Sequence, residues 1–227
     1  MFVPLTLLAS FVLSAPPDEK SAAQPAEAFQ ADPTWKPLGP HLWFDPKTKQ
    51  LVIRARIALR EGPLEHLLCL KGTKEHEAVL ATDAVPRQIH AGLLLTGAES
   101  GQPVRFVPKF TPPSGSPIAI EVQWKEDDKV LTADARTWVR NEKTKKPLAI
   151  DWVFAGSELV NDPVSKKVIY TADDGDLITV ANFANAILDL PFPSSANDAD
   201  RSFVANTEKI PPRGTIVTMF LKPRPKP

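Results

Sequence analysis

Cysteine is almost absent from this chain: Cys69 is the only one in 227 residues. A single thiol closes no intramolecular disulfide. It also cannot supply the four thiolates of an iron–sulfur cluster. Net charge is lacking too, with 27 Lys and Arg against 27 Asp and Glu. A neutral chain has no electrostatic footprint of a general nucleic-acid binder. Glycine is scarce at 10 residues, and there is neither a phosphate-cradling glycine loop nor a dinucleotide fingerprint, so no cofactor-binding motif is read. The patterns His-Glu-x-x-His, Cys-x-x-Cys and Gly-x-Ser-x-Gly are missing. Ser157, after Ala155-Gly156, is therefore no nucleophile elbow.

Proline is frequent at 24 residues. It fixes φ and removes a backbone donor, which disfavours long helices and favours short strands with shaped loops. Hydrophobic residues make up 43%, enough for a real core. The apolar run Phe2 to Ala15 ends in small residues and is too short to span a bilayer comfortably. It reads as a signal peptide over residues 1–15. Residues 16–33, rich in Ala, Pro, Glu and Gln, read as a low-complexity linker. A folded domain is expected over 34–222, with a loose tail at 223–227. The expected address is exported, periplasmic or secreted, with no transmembrane segment in the mature chain.

Strand signals dominate the domain. Leu51 to Ile57 alternates apolar and polar residues, and Asp45-Pro46-Lys47-Thr48-Lys49 before it is turn chemistry. Leu64 to Leu70, Ile118 to Trp124, Val130 to Val139, Val168 to Thr171, Leu177 to Val180 and Thr215 to Leu221 read as further strands. Asp83 is placed to cap a helix over residues 85–96, with Pro86 in its first turn and Gly97 as its stop. That helix is apolar on nearly every side, which predicts burial. Asn182 to Leu188 reads as a short helical piece capped by Asn182. The expected fold class is α+β, mostly antiparallel β with one buried helix near residues 85–96. Cys69, within Leu67-Leu68-Cys69-Leu70, is expected to pack in the core.

Several ordered blocks carry a family resemblance. Glu65-His66-Leu67-Leu68-Cys69, Gly72-Thr73-Lys74-Glu75-His76-Glu77 and Ile89-His90-Ala91-Gly92-Leu93-Leu94-Leu95 are similar to the YdjY-type domain of bacterial exported proteins. Asn182-Phe183, Leu188-Asp189-Leu190-Pro191, Asn206-Thr207-Glu208 and Ile210-Pro211-Pro212-Arg213-Gly214-Thr215 resemble it too. The resemblance spans roughly residues 35–222. It implies the domain and an uncharacterised activity. Some relatives carry ferredoxin-like names, which the lone Cys69 contradicts for this chain.

All four histidines, His41, His66, His76 and His90, lie in the first half of the domain. Glu75-His76-Glu77 is the densest titratable cluster around a histidine. It offers His76, Glu75 and Glu77 as acid–base candidates. His66, His76, His90 and Glu77 are the candidate metal ligands, because a metal needs several N and O donors converging on one point. The opposing view makes Glu75 to Glu77 a solvated turn, and His90 a core histidine clamping a loop. Asp173, Asp174 and Asp176 read as a hairpin turn. The five tryptophans read as core or core rim. Two functions stay open. One is a non-catalytic envelope module that binds an unknown protein or small-molecule partner. The other is a metal-dependent or acid–base enzyme centred on Glu75-His76-Glu77.

Overall fold

A computed structural model describes residues 30–195 and 202–225. The expected signal peptide and most of the expected linker lie outside the described residues. The strands are β1 (Lys36–Gly39), β2 (Leu42–Asp45), β3 (Gln50–Ile57), β4 (His66–Leu70), β5 (Ala78–Thr82), β6 (Pro117–Glu126), β7 (Lys129–Asp134), β8 (Val139–Asn141), β9 (Trp152–Phe154), β10 (Leu159–Asn161), β11 (Val168–Tyr170), β12 (Asp176–Thr179), β13 (Leu188–Asp189), β14 (Phe203–Ala205) and β15 (Ile216–Pro223). One α-helix, α1, covers Pro86–Leu95 among the described residues.

The large sheet closes on itself. Its ring runs β3-β15-β6-β9-β13-β12-β4-β5, and β5 returns to β3 through Arg56↔Ala81 and Ile57↔Leu80. An eight-stranded barrel of this kind removes the open edges that a flat sheet would present. The ring is mixed: β4 runs parallel to β5 and β12 runs parallel to β13. The described residues are thus β-rich with one α-helix, and antiparallel pairing alone does not describe the sheet. Strands β4, β5 and β12 are buried on both faces almost throughout. They read as near-continuous apolar runs for that reason.

Local sequence explains the joints. Asp45 Oδ1 accepts the Lys47 amide at 2.9 Å, and Lys49 takes φ 54°, which turns β2 into β3. The same chemistry turns β10 into β11, where Asp162 Oδ1 accepts the Val164 amide at 2.9 Å. Trp138 and Trp152 are fully buried. Trp124 packs on Trp138 at 5.6 Å, and Trp35 packs on Trp43 at 6.5 Å. At the C-terminal end, the Arg224 amide donates to Pro117 O and its guanidinium meets Asp151 at 2.8 Å.

The helix departs from expectation in two ways. It is not buried all round: Leu94 is 49% exposed and Leu95 55%. Successive helical residues are about 100° apart, so Leu93, Leu94 and Leu95 cannot share one face. Pro86, Ile89, Gly92 and Leu93 face inward instead. A Cβ on Gly92 would stand 2.4 Å from Leu51 Cδ1, so glycine is what lets α1 approach β3 this closely. Nor does Asp83 cap the helix. Val85 holds the cap position with no side-chain bond, and Asp83 lies too far upstream, paired with Lys71 at 3.2 Å. Gly97 does end it, at φ 89°, with its amide on Leu94 O. Asn182 to Ile187 forms a turn leading into β13 rather than a helix, and the Asn182 side chain is spent on Ser194 and Asp189.

Candidate functional site

Two clusters of polar side chains stand out. The first lies between α1 and the β10–β11 hairpin. Arg87 and His90 are three residues apart on α1, hence neighbours on its surface. Across from them, β11 ends in the buried Tyr170. The Tyr170 hydroxyl donates to Gly156 O at 3.1 Å and lies 2.8 Å from His90 Nδ1. One hydroxyl has one proton, so His90 Nδ1–H is the donor to Tyr170 and the tautomer follows from the network. The His90 ring also packs edge-on against Phe154 at 4.8 Å.

These groups line a groove of about 420 Å³ together with Ser100, Ser157 and Leu159. Its floor needs glycine: Gly156 has φ 92°, and a Cβ there would sit 2.0 Å from Ser100 Oγ. Ser157 Oγ is 3.0 Å from Thr171 Oγ1. Arg87 reaches Asp173 at 3.0 Å and lies over the Tyr170 ring at 5.4 Å. Burial lowers the His90 pKa and raises that of the Tyr170 phenol. Both groups are therefore neutral at pH 7 and serve as fixed hydrogen-bonding groups.

The second cluster gathers around His66 on β4. His66 is fully buried, and its Nε2 is 2.7 Å from Asp176 Oδ1 at the start of β12. Lys74 Nζ reaches the same oxygen at 2.7 Å. Burial works to raise the Asp176 carboxyl, but the bonds from His66 and Lys74 outweigh it and hold it below the ordinary carboxylate range. Phe183 stacks on the His66 ring, centroids 5.5 Å apart and planes 10° apart. Glu65 and Glu77 flank this pair, and one ligand atom each of Glu65, His66 and Glu77 lie within 4.8 Å of one another. Burial, then the neighbouring Glu77 carboxylate, raises the Glu65 pKa. These three residues could hold a metal.

The structure divides the sequence candidates. His66 and Glu77 come together. His90 belongs to the groove, tied to Tyr170 rather than to the Glu75–Glu77 segment. His76 stands 75% exposed, 3.7 Å from Glu77 Oε1, in a turn closed by the Glu77 amide on Lys74 O. Glu75 sits half-buried in that turn. His41 lies elsewhere, 3.9 Å from Asp83. Glu65, Asp176 and Tyr170 are partners that sequence reasoning missed. Asp176 carried a signal: a carboxylate opening the apolar run Leu177-Ile178 requires a partner once buried. Cys69 is buried as expected, and burial pushes its thiol up to about 11, so it stays protonated and unreactive.

No curated protein and no solved structure matches this chain. No helix among the described residues is long and apolar enough to cross a membrane. The YdjY domain model matches residues 42–222, which take in the whole barrel and both polar clusters. The chain belongs to the YdjY domain family.

Proposed function

We propose that this protein is an exported, non-catalytic binding module that holds a small amphipathic anion in the groove between α1 and β11. One observation carries the reading: the Gly156–Tyr170–His90 hydrogen-bond chain sits in an open groove with an apolar rim at Leu159. Ligand sites combine largely apolar walls with a few placed polar groups, and this groove has that composition. Arg87 supplies the charge. Its pair with Asp173 is half-exposed on both sides, and such pairs contribute only about 0–1 kcal/mol, so an anionic group can compete for the guanidinium. The protonated phenol and the neutral imidazole offer hydrogen-bonding positions that the network holds fixed for a ligand. Export rests on the apolar N-terminal run Phe2 to Ala15.

Anilinonaphthalene sulfonate is a suitable probe, because it joins an aromatic body to an anion. Saturable one-to-one binding, weakened several-fold by Leu159→Glu and by Arg87→Ala, supports the reading. Both side chains are at least half exposed, so neither change threatens the fold. Binding that neither variant alters counts against it.

A further inference from the structure

We propose that Glu65, His66 and Glu77 form a binding site for a first-row divalent metal ion, with Asp176 as the residue that positions His66. The proposal is independent of the groove reading.

Topology brings the three ligands together. Strands β4 and β5 are parallel with His66 opposite Ala78. The residues just before each strand therefore lie side by side. The Glu65 and His66 amides both donate to Glu77 O, at 3.0 and 3.1 Å. A parallel pair entering a barrel thus delivers two carboxylates and an imidazole to one corner, and one donor atom of each falls within 4.8 Å of the others.

The carboxylates alone would be an ordinary acidic pair. His66 is what points to an ion. Its side chain is wholly buried, Nε2 is engaged by Asp176, and Nδ1 has no hydrogen-bond partner. A buried polar atom left unpaired costs about 1–3 kcal/mol, so the large majority in folded proteins have a partner. A metal on Nδ1 would satisfy it. The rest of the arrangement matches how metal-binding histidines are held, with the far ring nitrogen fixed by a carboxylate. Phe183, stacked on the ring, restrains it from turning. Lys74 is committed to Asp176 at 2.7 Å.

Donor chemistry narrows the ion. One imidazole and two carboxylates suit zinc, manganese or ferrous iron, whereas calcium and magnesium prefer all-oxygen sites. Cys69 adds no thiolate: it packs among Ala58, Ala78 and Ala81. Glu65 and Glu77 are only half-buried, so the site has a route to solvent and room for water ligands.

The test is calorimetric titration of zinc into untagged, chelator-treated protein, alongside Glu65→Gln, Glu77→Gln and Asp176→Asn. His66→Ala is avoided as the sole test because a buried histidine is also structural. Wild type is expected to bind one zinc ion. Asp176→Asn should weaken it roughly 10- to 100-fold, the usual effect of losing an outer partner. Each glutamine variant should weaken it at least as much while keeping its metal-free unfolding midpoint. With cobalt in place of zinc, visible absorption bands should appear in wild type and fade in the glutamine variants. Folded wild type that binds no zinc overturns the site. So does zinc bound equally well by both glutamine variants.

Discussion

His90 Nδ1 lies 2.8 Å from the Tyr170 hydroxyl, and through it the only α-helix among the described residues is tied to the β11 strand. Tyr170→Phe removes the bond to His90 and the bond to Gly156 O together. The expected loss is about 1–3 kcal/mol by urea unfolding, at the scale of one or two neutral hydrogen bonds. Dye affinity should fall in the same variant, since the groove then lacks its polar floor. Unchanged stability and unchanged affinity would contradict both roles.

The exposed side of α1 gives a sharper contrast. Leu93 is fully buried, while Leu94 is 49% exposed. Leu93→Ala should cost about 2–5 kcal/mol through lost burial and a cavity. Leu94→Glu should stay within about 0.5 kcal/mol, as surface changes usually do. Thermal or urea unfolding separates the two. Equal costs would mean that the helix is enclosed after all.

Asp189 gives the fold a pH dependence. It is fully buried, and burial raises its pKa from 3.8 to about 7 despite bonds from the Leu190 amide, Thr179 and Asn182. The folded state therefore holds a proton that the unfolded state has released. Stability from this group is full below about pH 4 and is lost as pH rises through about 7. The loss is on the order of 2–4 kcal/mol. Asp189→Asn keeps an oxygen acceptor for the three donors and cannot titrate. Unfolding free energy measured from pH 4 to 8 should decline in wild type relative to Asp189→Asn. Parallel curves would contradict the assignment.

The His66–Asp176 pair predicts an asymmetry between two substitutions. Asp176→Ala leaves a buried imidazole nitrogen without its partner. It should destabilise by about 2–3 kcal/mol, as loss of a charge-assisted bond does. Asp176→Asn retains an oxygen acceptor and should cost less. Unfolding midpoints in the presence of chelator report the difference without any metal contribution. Equal midpoints for both variants and wild type would show that the pair adds nothing.

Much of the barrel was legible in the chain. Leu51 to Ile57 announced β3 by alternation, and the Asp45 turn announced the β2–β3 hairpin. Ring closure was not legible, because it depends on β5 pairing with β3 through only two residue pairs and on the two-residue strand β13. No periodicity exists over so few residues. The site was half legible. Histidine content pointed to His66 and His90, and nearby carboxylates pointed to Glu77. Local spacing could not show that His66 would meet Asp176, 110 residues away, or that His90 would meet Tyr170, 80 residues away. The densest cluster in sequence, Glu75-His76-Glu77, became a turn that leaves His76 in solvent, because successive residues in a tight turn diverge.

The most direct test of the groove is nuclear magnetic resonance mapping of anilinonaphthalene sulfonate on uniformly nitrogen-labelled protein. The account predicts saturable shifts at Arg87, His90, Ser157, Leu159 and Tyr170, with the His90 Nδ1 proton among the most displaced. Shifts centred on any other surface, or no saturable shift at all, would contradict the groove as the place where this protein binds its ligand.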